Sequence, residues 1–467
     1  MNSGSRSNYL LKNTAIFAIG NISTKLIHFF LVPLYTYVLT TEEYGTIDLV
    51  VSICSILVPI LMCNIGEAIR RYLLDEDSDE NKIKTVEYIW AFVGLILSCL
   101  IYFIMSHIPS ISEYAFWVCA FSFTNALSQI TLEYLRGQEK LKLYTVWSTY
   151  SSLAVALLNV LFLAKMHMGI KGYFLAYIIS YFTMSICAFI SSGQYKGISN
   201  LVFEKKLFVE MSLFSIALVP NSIMWWITNS SDRIMVTYLI SAAANGIYSV
   251  SYKLPSLLST LSTILMQAWQ YSAIKEEKSE DREDYQNNMF KLYLTCTAII
   301  SAGLLFILKP FMKIYVAQDY FVSWKYSPFL IIGLMFQTLA TFVGTSYYVK
   351  KNMKGNLYSS SVGAITNIIL NIILIPMLGV NGAAIATCIS YVAVLVFRLY
   401  DTRRYLNIRY FTSYNSKITI IMIVMLLAVY LPSFYSYVAM ALCIFLLIYV
   451  SRDIYLDFVK KVFKRIR

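Results

Sequence analysis

Charged and polar side chains set inside long apolar runs are the places where this chain of 467 residues could do chemistry. In the first run, Asn21, Lys25 and His28 stand at i, i+4 and i+7, one face of a helix. A later run carries Ser249, Lys253, Ser256, Thr260, Thr263, Gln267 and Gln270. Each step there is three or four residues, so the spacing predicts one polar face along a single helix. Between them lie Asn229, Asp232 and Arg233, and Asp48, Ser52 and Ser55 repeat the start of the stripe at an offset of 201. A cation at the centre of a bilayer costs about 2.5–3.5 kcal/mol even on insertion scales. Lys25, Arg233 and Lys253 therefore imply water, acids or an anionic ligand nearby. No Asp or Glu lies within four residues of Lys25, whereas Arg233 has Asp232 beside it and Asp48 as a further candidate partner. The candidate substrate-binding set is Lys25, Arg233, Lys253, Asn21, His28, Asn229, Gln267 and Gln270. Asp48 and Asp232 are the acids to test for proton or sodium coupling.

Plainer readings stand beside these. The Ser and Thr face is also the kind of surface that packs helices together, and Lys253 is close enough to a helix end to snorkel. Arg70 and Arg71 read first as topology determinants, and Glu67, Glu87, Glu133 and Glu210 as interfacial acids. Pro33, Pro220 and Pro255 are expected to bend their helices. Eight scattered cysteines form no CxxC, and three histidines stand far apart, so neither disulfides nor a metal site is expected. No Walker motif is present, which argues against direct use of ATP.

The elements that carry these residues are set by composition. The chain is 58% hydrophobic and 14% charged, against about 45–50% and about 25% in soluble domains. Fourteen runs are long enough for spanning helices: 14–39, 46–69, 85–106, 111–133, 143–164, 172–192, 208–238, 247–273, 292–308, 327–348, 358–376, 382–400, 417–433 and 435–450. The first is too long for a cleavable signal peptide and contains Lys25. With the N-terminus in the cytoplasm, 28 of the 38 Lys and Arg fall on inner segments and five, Lys165, Lys171, Lys309, Lys313 and Lys325, on outer loops. That bias fixes both termini as cytoplasmic. The net charge of +12 is thus a topology signal spread between spans, not a nucleic-acid face. The expected fold is an all-α polytopic membrane protein.

The two halves repeat. Thr36–Thr40 ending at Gly45 matches Thr237–Ser241 ending at Gly246 at the offset of 201. Leu143-Tyr144 matches Leu357-Tyr358, and Gly169-Ile170-Lys171-Gly172 with Ser180-Tyr181 matches Gly379-Val380-Asn381-Gly382 with Ser390-Tyr391. Each of the latter blocks follows a Leu-Asn pair, Leu158-Asn159 and Leu370-Asn371. The expected organisation is a six-helix lobe over 1–206, a second over 207–410, and two extra spans with a basic tail over 411–467. Parallel repeats of this kind are a transporter architecture with the substrate path between them.

Several motifs carry a family resemblance: Phe30-Leu31-Val32-Pro33-Leu34-Tyr35 followed by Glu43-Tyr44-Gly45, Ser231-Asp232-Arg233 leading to Gly246-Ile247-Tyr248-Ser249-Val250-Ser251-Tyr252-Lys253, and Gly379-Val380-Asn381-Gly382-Ala383-Ala384. Over nearly its whole length the chain resembles the Wzx-type polysaccharide flippases of bacteria, in the superfamily that also holds multidrug extrusion proteins and lipid II flippases. The resemblance implies a non-enzymatic transporter in the bacterial cytoplasmic membrane. Its cargo would be undecaprenyl-diphosphate-linked oligosaccharide, moved by alternating access, with polymerase and glycosyltransferases as expected partners and no cofactor. The cations would then meet the diphosphate through charge-assisted hydrogen bonds, while Trp225, Trp226, Trp269, Gln267 and Gln270 would meet sugars. Two rivals remain. Multidrug or metabolite extrusion shares the fold but favours buried carboxylates in the cavity. A polysaccharide polymerase or lipid-dependent glycosyltransferase should carry a large outer loop, and the longest one here, near Lys309–Ser327, has about twenty residues.

Overall fold

In the computed structural model, residues 23–75, 78–108, 112–196, 201–275, 282–350 and 352–466 are described, and all the regular elements among them are helices. The first, α1, covers 23–38. It is followed by α2 (Thr41–Leu61), α3 (Ile65–Leu73), α4 (Glu80–Ser106), α5 (Ser112–Gly137), α6 (Leu141–Asn159), α7 (Gly169–Ser192), α8 (Lys205–Ile216) and α9 (Val219–Leu239). Then come α10 (Ala242–Ser251), α11 (Lys253–Lys275), α12 (Arg282–Tyr315), α13 (Ser327–Val349), α14 (Met353–Leu378), α15 (Val380–Asp401), α16 (Ser413–Ala428) and α17 (Ser433–Ile466).

Eleven helical stretches among the described residues are long and apolar enough to cross a membrane. Each of the remaining expected spans is also helical, for a different local reason. The first extends into residues that are not described, α16 is apolar but shorter, and α11 carries the hydroxyl and amide stripe that lowers its hydropathy. Large apolar side chains lie exposed along the helices, among them Leu100, Phe103 and Ile104 on α4 and Ile365, Ile369 and Ile372 on α14. On a soluble protein such a surface would aggregate; in a bilayer it is the lipid face.

Three expected spans are broken. The second divides at Cys63 and Asn64, which both take left-handed backbone with φ of 43° and 55°. The seventh divides before Pro220, and the eighth at Tyr252. Pro220 and Pro255 thus sit in the first turn of α9 and α11, where a missing N–H is tolerated, instead of bending the middle of a helix. Pro255 has no N–H for the Ser251 carbonyl, which accepts the Ser327 hydroxyl at 2.9 Å instead.

The repeated sequence blocks are helix starts. Thr40 and Glu43 form a reciprocal cap on α2, with Thr40 N–H to Glu43 Oε2 at 2.9 Å and Glu43 N–H to Thr40 Oγ1 at 3.2 Å. At the offset of 201, Ser241 caps α10 by accepting the Ala244 N–H at 3.1 Å. The glycine blocks open α7 and α15, with Gly169 and Gly379 at φ of 55° and 61°.

The chain divides into two compact units, Met1–Trp226 and Ile227–Arg467. In the first, α5 is the central helix and packs against α2, α3, α4, α6 and α7. In the second, α13 is the most enclosed and packs against α11, α12, α14 and α15, while α16 and α17 pair with each other and lie on α12.

Candidate functional site

In the second unit the polar residues of α9 converge. Asp232 is fully buried. Its Oδ2 accepts hydrogen bonds from Tyr248 Oη at 2.6 Å, Tyr252 Oη at 2.8 Å and Thr387 Oγ1 at 3.0 Å. Its Oδ1 accepts the N–H of Arg233 at 2.9 Å. Burying a carboxylate is costly unless its oxygens are hydrogen-bonded, and donors from three elements meet that need here. The Arg233 guanidinium lies over the Tyr252 ring, 5.0 Å from its centroid, so the cation stays beside the acid without taking its place among the donors.

A second tier surrounds this centre. Asn229 Oδ1 accepts from Tyr391 Oη at 2.6 Å and from Gln337 Nε2 at 3.1 Å. Asn367 Oδ1 accepts from Ser231 Oγ at 3.0 Å and Asn371 Nδ2 at 2.9 Å, and Asn367 Nδ2 reaches Thr387 Oγ1 at 3.4 Å. Asn371, Asn367, Thr387 and Asp232 therefore form one connected chain across α14, α15 and α9. The Oδ1 of Asn371 is buried with no hydrogen-bond partner among the described residues. The paired asparagine of the first unit, Asn159, has its Oδ1 buried in the same way.

The other candidates are distributed as follows. Lys253 is half-buried at the first position of α11. The polar stripe it heads belongs to two helices, since Ser249 lies on α10. The hydroxyls of Ser256, Thr260 and Thr263 bond back to the carbonyls of Lys253, Ser256 and Ser259 on their own helix. Gln270 is exposed, and the Gln267 side chain lies outside the described residues, as does Asn21. In the first unit Lys25 is exposed and Asp48 is buried on α2. His28 stacks on Tyr177 with ring centroids 6.0 Å apart and Nδ1 3.3 Å from the tyrosine Oη. The Ser52 and Ser55 part of the earlier stripe is met by Trp226, whose Nε1 donates to Ser52 O at 2.8 Å and Ser55 Oγ at 2.9 Å. Trp269, read from sequence as a sugar platform, is buried and stacks on Phe342 at 4.2 Å.

The interfacial acids are also more structured than expected. Glu133 pairs with Arg70 at 2.8 Å and Arg136 at 2.6 Å, and Arg70 also pairs with Glu67. Glu87 is buried, and both its oxygens accept from Gln194 Nε2 at 3.0 and 2.9 Å.

Sequence reasoning found Asp232, Arg233 and Asn229 but not the tyrosines, threonine and asparagines that complete the cluster. Their signal lay in the family motif that contains Tyr248 and Tyr252 and in the repeat blocks that contain Asn371 and Tyr391. The cluster itself is not repeated: at the offset of 201 the counterpart of Asp232 is Leu31, and at the 210 that aligns the glycine blocks the counterpart of Thr387 is Tyr177.

This arrangement of helices is the fold of the multi-pass membrane transporters of the MOP superfamily. A lipid II flippase, MurJ, solved in an inward closed conformation, matches over 96% of this chain and 100% of its own, with a TM-score of 0.70 at 17% identity. An inward-facing multidrug resistance transporter of the MATE family matches over 83% of this chain and 98% of its own, with a TM-score of 0.64 at 14% identity. The family is given by the sequence: the profile described as polysaccharide biosynthesis protein matches residues 10–270, and the chain belongs to that family. Among relatives, an uncharacterised membrane protein of Methanocaldococcus jannaschii is 22% identical over 415 residues, covering 85% of this chain and 98% of its own. The lipid II flippase MurJ of Thermosipho africanus is 26% identical over 165 residues, 33% of this chain and 34% of its own.

Proposed function

We propose that this protein translocates undecaprenyl-diphosphate-linked oligosaccharide from the inner to the outer leaflet of a bacterial cytoplasmic membrane, for surface polysaccharide synthesis. The observation that carries this reading is membership of the polysaccharide biosynthesis family; the fold shared with a lipid II flippase agrees with it. Transport proceeds by alternating access between lobes over 1–206 and 207–410, with 411–467 outside the repeat. Lys25, Arg233 and Lys253 attract the diphosphate, because each can replace lost water with charge-assisted hydrogen bonds. His28, Asn229 and Gln270, with Asn21 and Gln267, serve the polar headgroup. Asp232 is the coupling acid, for protons or sodium. Its polar shell supports this role, and Asp48 is the second acid to test.

The test uses a strain that lacks its own flippase and measures surface polysaccharide. The wild type restores it. Lys25→Ala and Lys253→Ala lose most of the activity at unchanged protein abundance, whereas Lys25→Arg and Lys253→Arg keep part of it. Fully active alanine variants would rule out the cationic binding role, and a wild type that restores no polysaccharide would rule out the flippase reading.

A further inference from the structure

In the first unit a cavity of about 370 Å³ opens where α2 and α5 begin and α6 turns into α7. Glu43, Glu113, Tyr114, Trp117, His167 and Lys171 line it. Glu43 is held by its cap on α2. Glu113, His167 and Lys171 are exposed, Tyr114 and Trp117 are half-buried, and none of the five has a side-chain hydrogen bond or ion pair among the described residues. The Trp117 indole is fixed from behind, stacked toward Phe174 at 6.4 Å and edge-on to Phe116 at 5.3 Å. The turn that carries His167 is tight: His167 takes left-handed backbone with φ of 51°, and the Met168 N–H bonds to Phe162 O at 2.9 Å.

The internal repeat supplies a control. The second unit builds the corresponding turn with Gly379, but the counterparts of Glu43, His167 and Lys171 are Ala244, Met377 and Asn381. The second unit therefore builds the turn without the charges of His167 and Lys171, whereas Glu43 also caps α2. The chemistry of the cavity follows from its wall. Several convergent polar groups beside an aromatic ring, in a space of this size, are the usual makings of a small-molecule site. An apolar ligand would strip water from two carboxylates and an ammonium with nothing in exchange. Two acids oppose a lone phosphate. No group of three His, Cys, Asp or Glu side chains suited to a metal occurs among the described residues. A pyranose suits the indole, the carboxylates and the ammonium together: its C–H face lies on the indole, vicinal hydroxyls donate to the carboxylates, and Lys171 donates to a ring or acidic-sugar oxygen.

We propose that this cavity is a saccharide-binding site that receives the sugar portion of the exported glycolipid on the outer side of the membrane. The inference rests on the flippase reading and on the charge pattern that places Lys165 and Lys171 outside. The probe is the lipid-free repeat-unit oligosaccharide released by mild acid from the host's own surface polysaccharide. Its binding to the full-length protein in detergent is followed by saturation-transfer NMR and titration calorimetry. Saturable binding is expected, weakened roughly tenfold by Glu113→Gln and by Lys171→Ala, each the loss of one charge-assisted hydrogen bond. Trp117→Ala should abolish it, and Trp117→Phe, which keeps a ring, should retain most of it. Equal binding by the wild type and the Glu113→Gln/Lys171→Ala double variant would overturn the site. So would no binding by a wild type that exports polysaccharide normally, and then the flippase reading would stand. Binding with these variant effects, in a protein that restores no polysaccharide, would uphold the site and remove the flippase reading.

Discussion

Asp232 is buried because other helices bring it donors, not because its own helix shelters it. Tyr248 and Tyr252 lie one turn apart and reach the same carboxylate oxygen, and Thr387 arrives from α15. A charge held this way can be exchanged for a bound proton or ion only if the shell stays in place. Asp232→Asn keeps the size and removes the charge, so export should fall to the level of the flippase-less strain while membrane abundance is retained. Full export by this variant would exclude Asp232 as the coupling acid. Tyr248→Phe leaves Thr387, Tyr252 and the Arg233 N–H as donors, and should lower stability by roughly 1.5–3 kcal/mol, the range for hydrogen bonds to charged groups. Thermal unfolding in detergent measures it. The acid was legible in the sequence because a carboxylate inside an apolar run is conspicuous. Its partners were not, since tyrosine, threonine and asparagine are common packing and interfacial types, and Thr387 is more than 150 positions away. The same blindness misplaced Trp269, whose partner Phe342 lies on another helix.

At the scale of helices, every expected apolar run falls on helix among the described residues, and eleven of those stretches are long and apolar enough to cross a membrane. Breaks inside a run were not legible. Cys63 and Asn64 carry no Gly or Pro signal, and Pro220 and Pro255 looked like mid-helix bends until Pro255 was seen to release the Ser251 carbonyl to Ser327. The glycine blocks were legible as a repeat, and the structure gives their physical reason. The first glycine supplies the left-handed backbone, and the second allows close approach: a Cβ on Gly382 would lie 2.1 Å from the carbonyl oxygen of Leu374, and one on Gly172 would lie 2.8 Å from the Met168 Cβ. Backbone at Leu374 cannot yield as a flexible side chain can. Gly382→Ala should therefore reduce the folded protein in the membrane severalfold, and Gly172→Ala should do so to a smaller degree. Fluorescence-detected size-exclusion chromatography of tagged variants reads this directly, and an unchanged monodisperse peak for Gly382→Ala would contradict the close packing.

For the molecule as a whole, charge distribution and helix length make the same demand. The last helix, α17, has 34 residues, about 51 Å at 1.5 Å per residue, while the hydrocarbon core is about 30 Å thick. Its end must leave the membrane, and it carries Lys460, Lys461, Lys464 and Arg465. Moving such a cluster across the bilayer during insertion is opposed by the same bias that is expected to hold Arg70, Arg71, Arg403 and Arg404 inside. With an even number of spans, the expected orientation has both termini in the cytoplasm and the caps at Thr40 and Ser241 on the outer side. Reporter fusions after Ala244 should report the outside, and fusions after Lys278 and Arg467 the inside. If Ala244 and Lys278 report the same side, no helix crosses between them, and α10 and α11 lose their standing as a span. If all three sides are reversed, the outward placement of Lys171 fails with them, and the saccharide site would face the cytoplasm, where the cargo is loaded.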